Sequence, residues 1–273
     1  MPEGDTVFRA ARSMRKALAG KVLVATDFRV PQHATADLSG QTVTGVVPRG
    51  KHLLTRTDAG ITLHTHFKME GTWHLYQPET RWRGGPDHEI RAVLRNAEWT
   101  AVGYRLAIVE LLPTADEDRA VGHLGPDLLG PDWDLDEALK RLTAEPELAI
   151  GEALLDQRNL AGIGNIYKNE TLFLKGLNPW VPVNEVKDLA SVVLLAQKLL
   201  RLSTEHWAQS TTGNTARSER RWVFSRGGQP CRRCGTRIRT GMQGEPAVER
   251  FTYWCASCQP QPPPGPEITS ADG

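Results

Sequence analysis

Long apolar segments are missing from this chain of 273 residues. No run approaches the roughly eighteen apolar residues that a membrane-spanning helix needs. A secretory signal would be apolar near its start, but Asp5, Arg9, Arg12 and Arg15 interrupt that stretch. With 40% hydrophobic and 24% charged residues, the composition is that of a globular protein in water. The sequence therefore predicts a cytoplasmic protein with no membrane partner, large enough for one or two domains.

Cysteine is absent from the first 230 residues. Two disulfides would satisfy the count of four, but paired Cys-x-x-Cys motifs in a cytosolic chain indicate a metal site. Twenty residues separate the two motifs, and this spacing suits a closed, structural zinc ribbon without a position open for catalysis. The predicted ligands of one Zn²⁺ are Cys231, Cys234, Cys255 and Cys258.

A strong excess of charge is also missing, since the formal net charge is +1. The charge is unevenly spread, however. Residues 109–150 contain eleven acidic and three basic residues, whereas residues 216–259 contain nine arginines against three glutamates. A basic segment in a near-neutral chain indicates a local anionic partner, of which nucleic acid is the commonest. The alternative is an arginine-rich face that only contacts solvent.

The first half of the chain predicts one helix followed by strands. Residues 4–19 carry apolar side chains at helical spacing and end at Gly20. Eight short segments with β-branched residues and turn signals between them predict an antiparallel, two-layer sandwich. These segments are residues 22–30, 42–47, 52–57, 61–66, 72–76, 89–94, 100–104 and 107–112.

The second half predicts helices over residues 134–144, 149–155, 164–175 and 186–209, so the fold class is α+β with several domains. The acidic stretch before them is rich in glycine and proline and marks a boundary. The predicted segments are a β-sandwich domain (1–112), a linker (113–133), a helical domain (134–210), a mobile loop (211–228), a zinc finger (229–259) and a disordered tail (260–273).

The start of the chain, Met1-Pro2-Glu3, offers reactive groups. If Met1 is removed, which a small second residue permits, Pro2 carries a secondary amine that titrates at about pH 8 and is partly nucleophilic at neutral pH. Attack on a sugar aldehyde carbon would give an iminium cation, and Glu3 could move protons beside it. Taken alone, this start is more often an ordinary solvated terminus.

Four further positions are candidates for binding an anionic chain. Lys51 opens a strand after Gly50, and Asn165 follows the Gly162-Ile163-Gly164 turn, which exposes helix N–H groups to a phosphate. Arg250 lies on a strand between the cysteine pairs, where a guanidinium can hold a phosphate. Met69 lies in a turn and either inserts between bases or packs beneath its hairpin.

Four motifs in order resemble one family, the formamidopyrimidine-DNA glycosylase/endonuclease VIII enzymes, over residues 1 to about 259. They are Met-Pro-Glu-Gly at the start, Gly50-Lys51-His52, Leu-Ala-Gly-Ile-Gly-Asn165-Ile-Tyr, and the segment from Val223 to Gln259. Glycine after Pro-Glu is similar to the endonuclease VIII branch, and actinobacterial members look especially similar. The resemblance implies a helix-two-turn-helix domain and a monomer that acts on damaged duplex DNA, associated with the nucleoid when bound.

The resemblance also implies residue roles. Pro2 is the nucleophile that displaces the damaged base and forms the Schiff base, Glu3 the acid/base, and Lys51 handles a proton or an adjacent phosphate. Asn165 and Arg250 hold phosphates around the flipped nucleotide, with Arg250 counted among the catalytic residues, and Met69 fills the vacated stack. β,δ-Elimination then cleaves the strand. Oxidised pyrimidines are the expected lesions.

Two departures from the family pattern bear on specificity. Thr6 stands where the family commonly has a glutamate, and Lys68-Met69-Glu70 mixes features of both branches. Three alternatives stay open: a member that prefers oxidised purines, a damaged-DNA binder of this fold without chemistry, and a zinc-ribbon transcription or RNA-processing factor. The last gives no role to Pro2 or Asn165.

Overall fold

The computed structural model describes residues 2–206, 208–246 and 249–260. The chain divides into two compact units, which we call unit 1, ending at His123, and unit 2, beginning at Leu124. This division falls inside residues 113–133, the segment predicted as a linker. Most of the predicted tail, residues 261–273, lies outside the described residues.

Unit 1 is a helix packed on two four-stranded antiparallel sheets. The elements are α1 (Gly4–Leu18), β1 (Ala25–Phe28), β2 (Val43–Arg49), β3 (His52–Thr57), β4 (Ile61–His66), β5 (Thr72–Tyr76), β6 (Ile90–Arg95), β7 (Thr100–Tyr104), β8 (Ile108–Pro113) and α2 (Asp118–Val121). The strand orders are β1-β6-β7-β5 and β2-β3-β4-β8, which confirms the predicted sandwich.

Alternation along the strands fills the core of unit 1. Val46, Leu53 and Leu63 face inward from neighbouring strands and pack with Val7 and Met14 of α1. Burial of each such side chain contributes about 2 kcal/mol, so α1 is held by its apolar stripe rather than by helix propensity. The opposite face of β3, β4 and β8 carries the polar His52, His64 and Glu110 beside the buried Leu54.

Unit 2 combines four helices with a β-hairpin. The predicted helix over residues 186–209 spans Leu189–Thr204 in the structure, and it begins after Asp188 because this residue caps it, its carboxylate accepting from the Ser191 amide at 3.0 Å. None of the helices in the described ranges is long and apolar enough to cross a membrane. The elements are α3 (Leu135–Leu142), α4 (Ile150–Leu155), α5 (Asn165–Lys175), α6 (Leu189–Thr204), β9 (Ile238–Gln243) and β10 (Arg250–Cys255).

The core of unit 2 lies between its helices, with Ile150, Leu154, Tyr167, Leu172 and Leu200 fully buried. A smaller cluster joins α5 to the hairpin and includes Phe173, Ile238 and Cys255 (three residues that the sequence spreads over more than eighty positions). The observed architecture confirms the predicted α+β class with a helical domain and a cysteine-bearing hairpin.

Candidate functional site

The start of the chain is fixed by α1. Glu3 directly precedes the helix, and its backbone carbonyl accepts from the amides of Thr6 at 2.9 Å and Val7 at 3.2 Å. Glu3 itself is only 1% exposed. Since Val7 and Met14 are buried in the core of unit 1, the helix cannot rotate freely, and Pro2-Glu3 is held at a defined place.

The direction of α1 brings Glu3 to the end of the sheet where Lys51 lies. Near the C-terminal end of the helix, Gly20 donates to Val43 at 2.8 Å, and the Arg15 guanidinium donates to the Val46 carbonyl at 2.6 and 2.9 Å. Helix and strand β2 therefore run antiparallel. The helix extends about 18 Å from Arg15 to Glu3. The strand and its turn extend about 17 Å in the same direction from Val46 to Lys51.

Lys51 lies in a two-residue turn between β2 and β3. Arg49 and His52 form the last strand pair, so Gly50 and Lys51 are the turn itself. Gly50 adopts a φ of 57°, a conformation that favours glycine, as the first central residue of a tight hairpin requires. The prediction placed Lys51 at the mouth of a strand, and the structure shows it at the tip of the hairpin.

Thr6, the departure from the family pattern, belongs to a small polar cluster. Its hydroxyl lies 3.4 Å from the Asp5 carboxylate and accepts from Arg9 at 3.3 Å. Arg9 and the buried Asp5 form an ion pair of 2.9 Å. Thr6 therefore takes part in the first turn of α1, and its effect on lesion preference stays a prediction.

Met69 projects from a hydrogen-bonded turn instead of packing beneath it. The side chain is 64% exposed, whereas Phe67 is buried. The Gly71 amide donates to the Phe67 carbonyl at 2.8 Å, and a Cβ on Gly71 would lie 2.6 Å from that oxygen, so only glycine closes this turn. Arg105 braces it by donating to the Glu70 carbonyl at 3.4 Å.

A row of histidines crosses the polar face beside Lys51, and sequence reasoning missed it. His52 Nδ1 lies 2.8 Å from His64 Nε2, and His64 Nδ1 lies 3.1 Å from the Glu110 carboxylate. His66 stands edge-on to His52 with 4.6 Å between ring centroids. Alternating His-x-His in β4 was the available signal, since residues two apart share a face.

In unit 2, a polar link joins α4 to α5. Gln157 holds it, donating to the carbonyls of Leu155 at 2.8 Å and Ile163 at 3.0 Å and accepting from the Gly162 amide. Gly162 has a φ of 98°. The link is thus closed on itself and leads directly into the first turn of α5, where Asn165 begins the helix.

One face of α5 is joined to strand β10 by three polar side chains. Asn165 Nδ2 donates to the Phe251 carbonyl at 2.8 Å, Asn169 Oδ1 accepts from the Tyr253 amide at 2.7 Å, and Lys168 donates to Thr252 at 2.6 Å. Asn165 is 7% exposed and Lys168 is fully buried. The sequence singled out Asn165, and the structure adds that helix and hairpin form one polar-bonded body.

Arg250 lies at the tip of the hairpin. It pairs with Gln243 across the last rung before the connecting turn, and its side chain is exposed. The neighbouring Phe251 is 56% exposed, although its carbonyl is bound by Asn165. Asn165 and Arg250 are therefore connected within unit 2 through one strand residue.

The four cysteines come together at the other end of the hairpin. Their sulfur atoms all lie within 4.8 Å of one another, with 4.0 Å between Cys231 and Cys258 and 3.4 Å between Cys234 and Cys255. A tetrahedral zinc–thiolate site separates sulfurs by about 3.8 Å, so this donor set fits a zinc ion. Hydrogen bonds from Thr236 lower the pKa of Cys234 to about 6, whereas burial raises that of Cys258.

The predicted mobile loop, residues 211–228, is tied to α5 by the buried Glu170. Its carboxylate accepts from the amides of Trp222, Val223 and Phe224 at 2.8 to 2.9 Å and from the Thr211 hydroxyl. Both ends of the segment 211–224 are thus anchored to one side chain. Mobility between these anchors stays a prediction.

Comparison with known proteins gives the family. Residues 1–108 match the formamidopyrimidine-DNA glycosylase N-terminal domain, and residues 124–214 match the formamidopyrimidine-DNA glycosylase H2TH domain. The chain belongs to the formamidopyrimidine-DNA glycosylase family. This membership confirms the resemblance drawn from the four motifs and identifies the link before α5 as part of the helix-two-turn-helix domain.

Similar members of the glycosylase family carry endonuclease 8 or lyase names. A Streptomyces coelicolor protein named probable endonuclease 8 2 is 55% identical over 268 residues, 97% of this chain and 96% of the relative. The DNA-(apurinic or apyrimidinic site) lyase Nei2 of Mycolicibacterium smegmatis is 46% identical, covering 95% of this chain and 99% of that protein. The sequence-based expectation of an actinobacterial, endonuclease VIII-like member agrees with these relatives.

A solved structure supports the glycosylase-family fold. Lactococcus lactis formamidopyrimidine-DNA glycosylase, crystallised non-covalently bound to DNA containing an AP site, is 22% identical with a TM-score of 0.76 and covers 95% of this chain and 100% of its own. At this identity the likeness concerns the fold alone.

Proposed function

We propose that the chain is a bifunctional DNA glycosylase and AP lyase of base-excision repair that removes oxidised bases, pyrimidines foremost, from duplex DNA. The observation that carries the proposal is the fixed start of α1, which directs Pro2 and Glu3 to the end of the sheet that bears Lys51. Membership of a DNA glycosylase family and the names of the most similar relatives support it.

The chemistry begins at the Pro2 nitrogen once Met1 is removed. The amine lone pair attacks C1′ of the damaged nucleotide, the N-glycosidic bond breaks, and the base leaves with its electron pair and takes up the proton that the Pro2 nitrogen loses. Glu3 donates a proton to the sugar ring oxygen as the ring opens, which leaves an iminium ion at C1′. Loss of the C2′ proton then expels the 3′ phosphate, and loss of the C4′ proton expels the 5′ phosphate. Lys51 handles a proton or the adjacent phosphate.

Unit 2 and one turn of unit 1 bind the DNA in this proposal. Asn165 and Arg250, connected through Phe251, hold phosphates near the flipped nucleotide. Met69, exposed on its turn, fills the space that the flipped base leaves. The four cysteines would hold a structural Zn²⁺, which would join the two ends of the hairpin and take no part in the reaction.

Borohydride trapping tests the mechanism. Wild-type protein with duplex DNA bearing thymine glycol or an abasic site is expected to give a covalent adduct, and Pro2→Gly, which replaces the secondary amine by a primary one, should diminish it. Mass spectrometry of the mature terminus establishes whether Met1 is absent. An undiminished adduct in Pro2→Gly would contradict the Schiff-base mechanism.

A lesion panel separates the remaining candidates. Faster excision of oxidised pyrimidines than of oxidised purines is expected, and the reverse order would favour the purine-preferring member. Tight binding to lesion DNA without any adduct, in protein whose terminus is proline, would favour the non-catalytic damage binder. We also propose that the protein acts as a monomer in the cytoplasm.

A further inference from the structure

The histidine row on the polar face of unit 1 has fixed hydrogen-bond directions. An ionised carboxylate only accepts, so Glu110 requires the proton of His64 on Nδ1. Neutral His64 then accepts at Nε2, and His52 must donate from Nδ1. Its own Nε2 is left as an acceptor. One half-exposed carboxylate on β8 thus determines the tautomer of a histidine two strands away.

The row reaches both turns that the proposed mechanism uses. His52 directly follows Lys51, and its Cα partner across the strands is His66. The Lys68 amide donates to His66 Nδ1 at 2.9 Å, so neutral His66 carries its proton on Nε2. The Gly50-Lys51 turn and the turn bearing Met69 therefore meet at the His52–His66 pair.

We propose that Glu110, acting through His64 and His52, is a positioning residue that sets the histidine tautomers and couples the turn of Lys51 to the turn of Met69. This rests on the proposed function for its catalytic consequence, but the coupling itself is a property of the DNA-free protein.

The surroundings keep His52 and His66 neutral, as fixed tautomers require. Burial, followed by the charges of neighbouring histidines, lowers the pKa of His52 to about 3. Burial and then Lys68 lower the pKa of His66 to about 4. The titratable groups that face the row are Lys51, His66, Lys68, Glu110, Glu117 and His123.

The coupling has a direct readout in ¹⁵N- and ¹³C-labelled, DNA-free protein at pH 7. Long-range ¹H–¹⁵N spectra are expected to show His52 and His64 as the Nδ1–H tautomer and His66 as the Nε2–H tautomer. Glu110→Ala should give mixed tautomers at both His64 and His52 and shift the methyl resonance of Met69. Glu110→Gln, whose amide oxygen still accepts, should restore the wild-type pattern.

Glu117→Ala is the matched control, because Glu117 lies near His64 but bonds to Arg56 and Thr62 instead. It should leave the His52 tautomer unchanged. Glu110 is half-exposed, so its removal is compatible with folding, and thermal melts check this. His64→Gln is a second break in the row and should shift the same Met69 resonance.

Unchanged tautomers in Glu110→Ala would overturn the proposal, and so would altered tautomers with an unmoved Met69 methyl resonance. Enzymatically, single-turnover excision should fall by roughly five- to tenfold with DNA affinity unchanged, less than the ~10²-fold that a 1 Å displacement can cost. A wild-type protein without any excision would contradict the proposed function, while the spectra would still decide the coupling.

Discussion

The two units hold their candidate functional residues by different physical means. In unit 1, Pro2, Lys51 and Met69 sit at a helix start and at two turns, so regular backbone geometry positions them. In unit 2, Asn165 and Arg250 depend on side-chain hydrogen bonds between a helix and a hairpin that are distant in sequence. The proposed catalytic residues of unit 1 are thus positioned by the backbone, whereas the proposed DNA-binding residues of unit 2 are positioned by side-chain hydrogen bonds. Variants should separate the two contributions.

The largest effect is expected from Glu3→Gln. Formation of the trappable iminium on lesion DNA should slow by about 10²- to 10⁴-fold, since the variant lacks the proton donor for ring opening. Trapping on a preformed abasic site should persist, because that sugar already opens to an aldehyde. Single-turnover assays measure both. Asp5→Asn, which alters a buried carboxylate in the same helical turn, is the control, and equal losses in both variants would point to a damaged helix instead.

Metal removal should break unit 2 while leaving unit 1 folded. Chelation, or Cys234→Ser, removes the link between the ends of the hairpin that carries Arg250. DNA affinity should fall on the order of 10²-fold, because metal binding free energy is folding free energy in such sites. Elemental analysis and DNA titration are the measurements. Full affinity in protein shown to be metal-free would refute a structural role for the ion.

Acid should destabilise unit 1 in particular, since seven of the eight histidines precede residue 124. Burial lowers the pKa values of His52 and His66, so between pH 6.5 and about 4 the unfolded chain binds more protons. As the pH decreases through this range, the free energy of unfolding therefore decreases, by roughly 2 kcal/mol per histidine at pH 5. Urea titrations at pH 7 and 5 should show a smaller difference in His52→Gln, while exposed His88→Gln should match wild type.

Arg250→Ala should have the smallest effect, confined to DNA affinity. Loss of one phosphate contact lowers the slope of log affinity against log salt by about one unit. The excision rate at saturating DNA should change less than the affinity does. Arg239→Ala, an exposed arginine elsewhere on the same hairpin, is the control. A slope equal to that of wild type would remove Arg250 from the DNA interface.

The difference between the units also explains what could be predicted from sequence. Strands with turn glycines, the amphipathic α1 and the paired cysteines depend on local patterns, and the structure contains each of them. The Glu110–His64–His52 row and the Lys168–Thr252 contact join residues on separate elements, so no local spacing reveals them. Exposure of Met69 likewise depended on whether Phe67, its neighbour, occupied the core.

The buried apolar stripe of α1 fixes the rotation of the helix about its axis and therefore the direction in which the terminus points. Each residue of a helix advances 1.5 Å and turns 100°. Deleting one residue between Glu3 and Val7 would therefore withdraw Pro2 by about 1.5 Å and swing it by about 100° around the axis, while Val7 and Met14 could keep their places in the core. The number of residues between Pro2 and the buried stripe therefore sets the position of the amine. The length of the first helical turn matters to the reaction as much as the amine itself does.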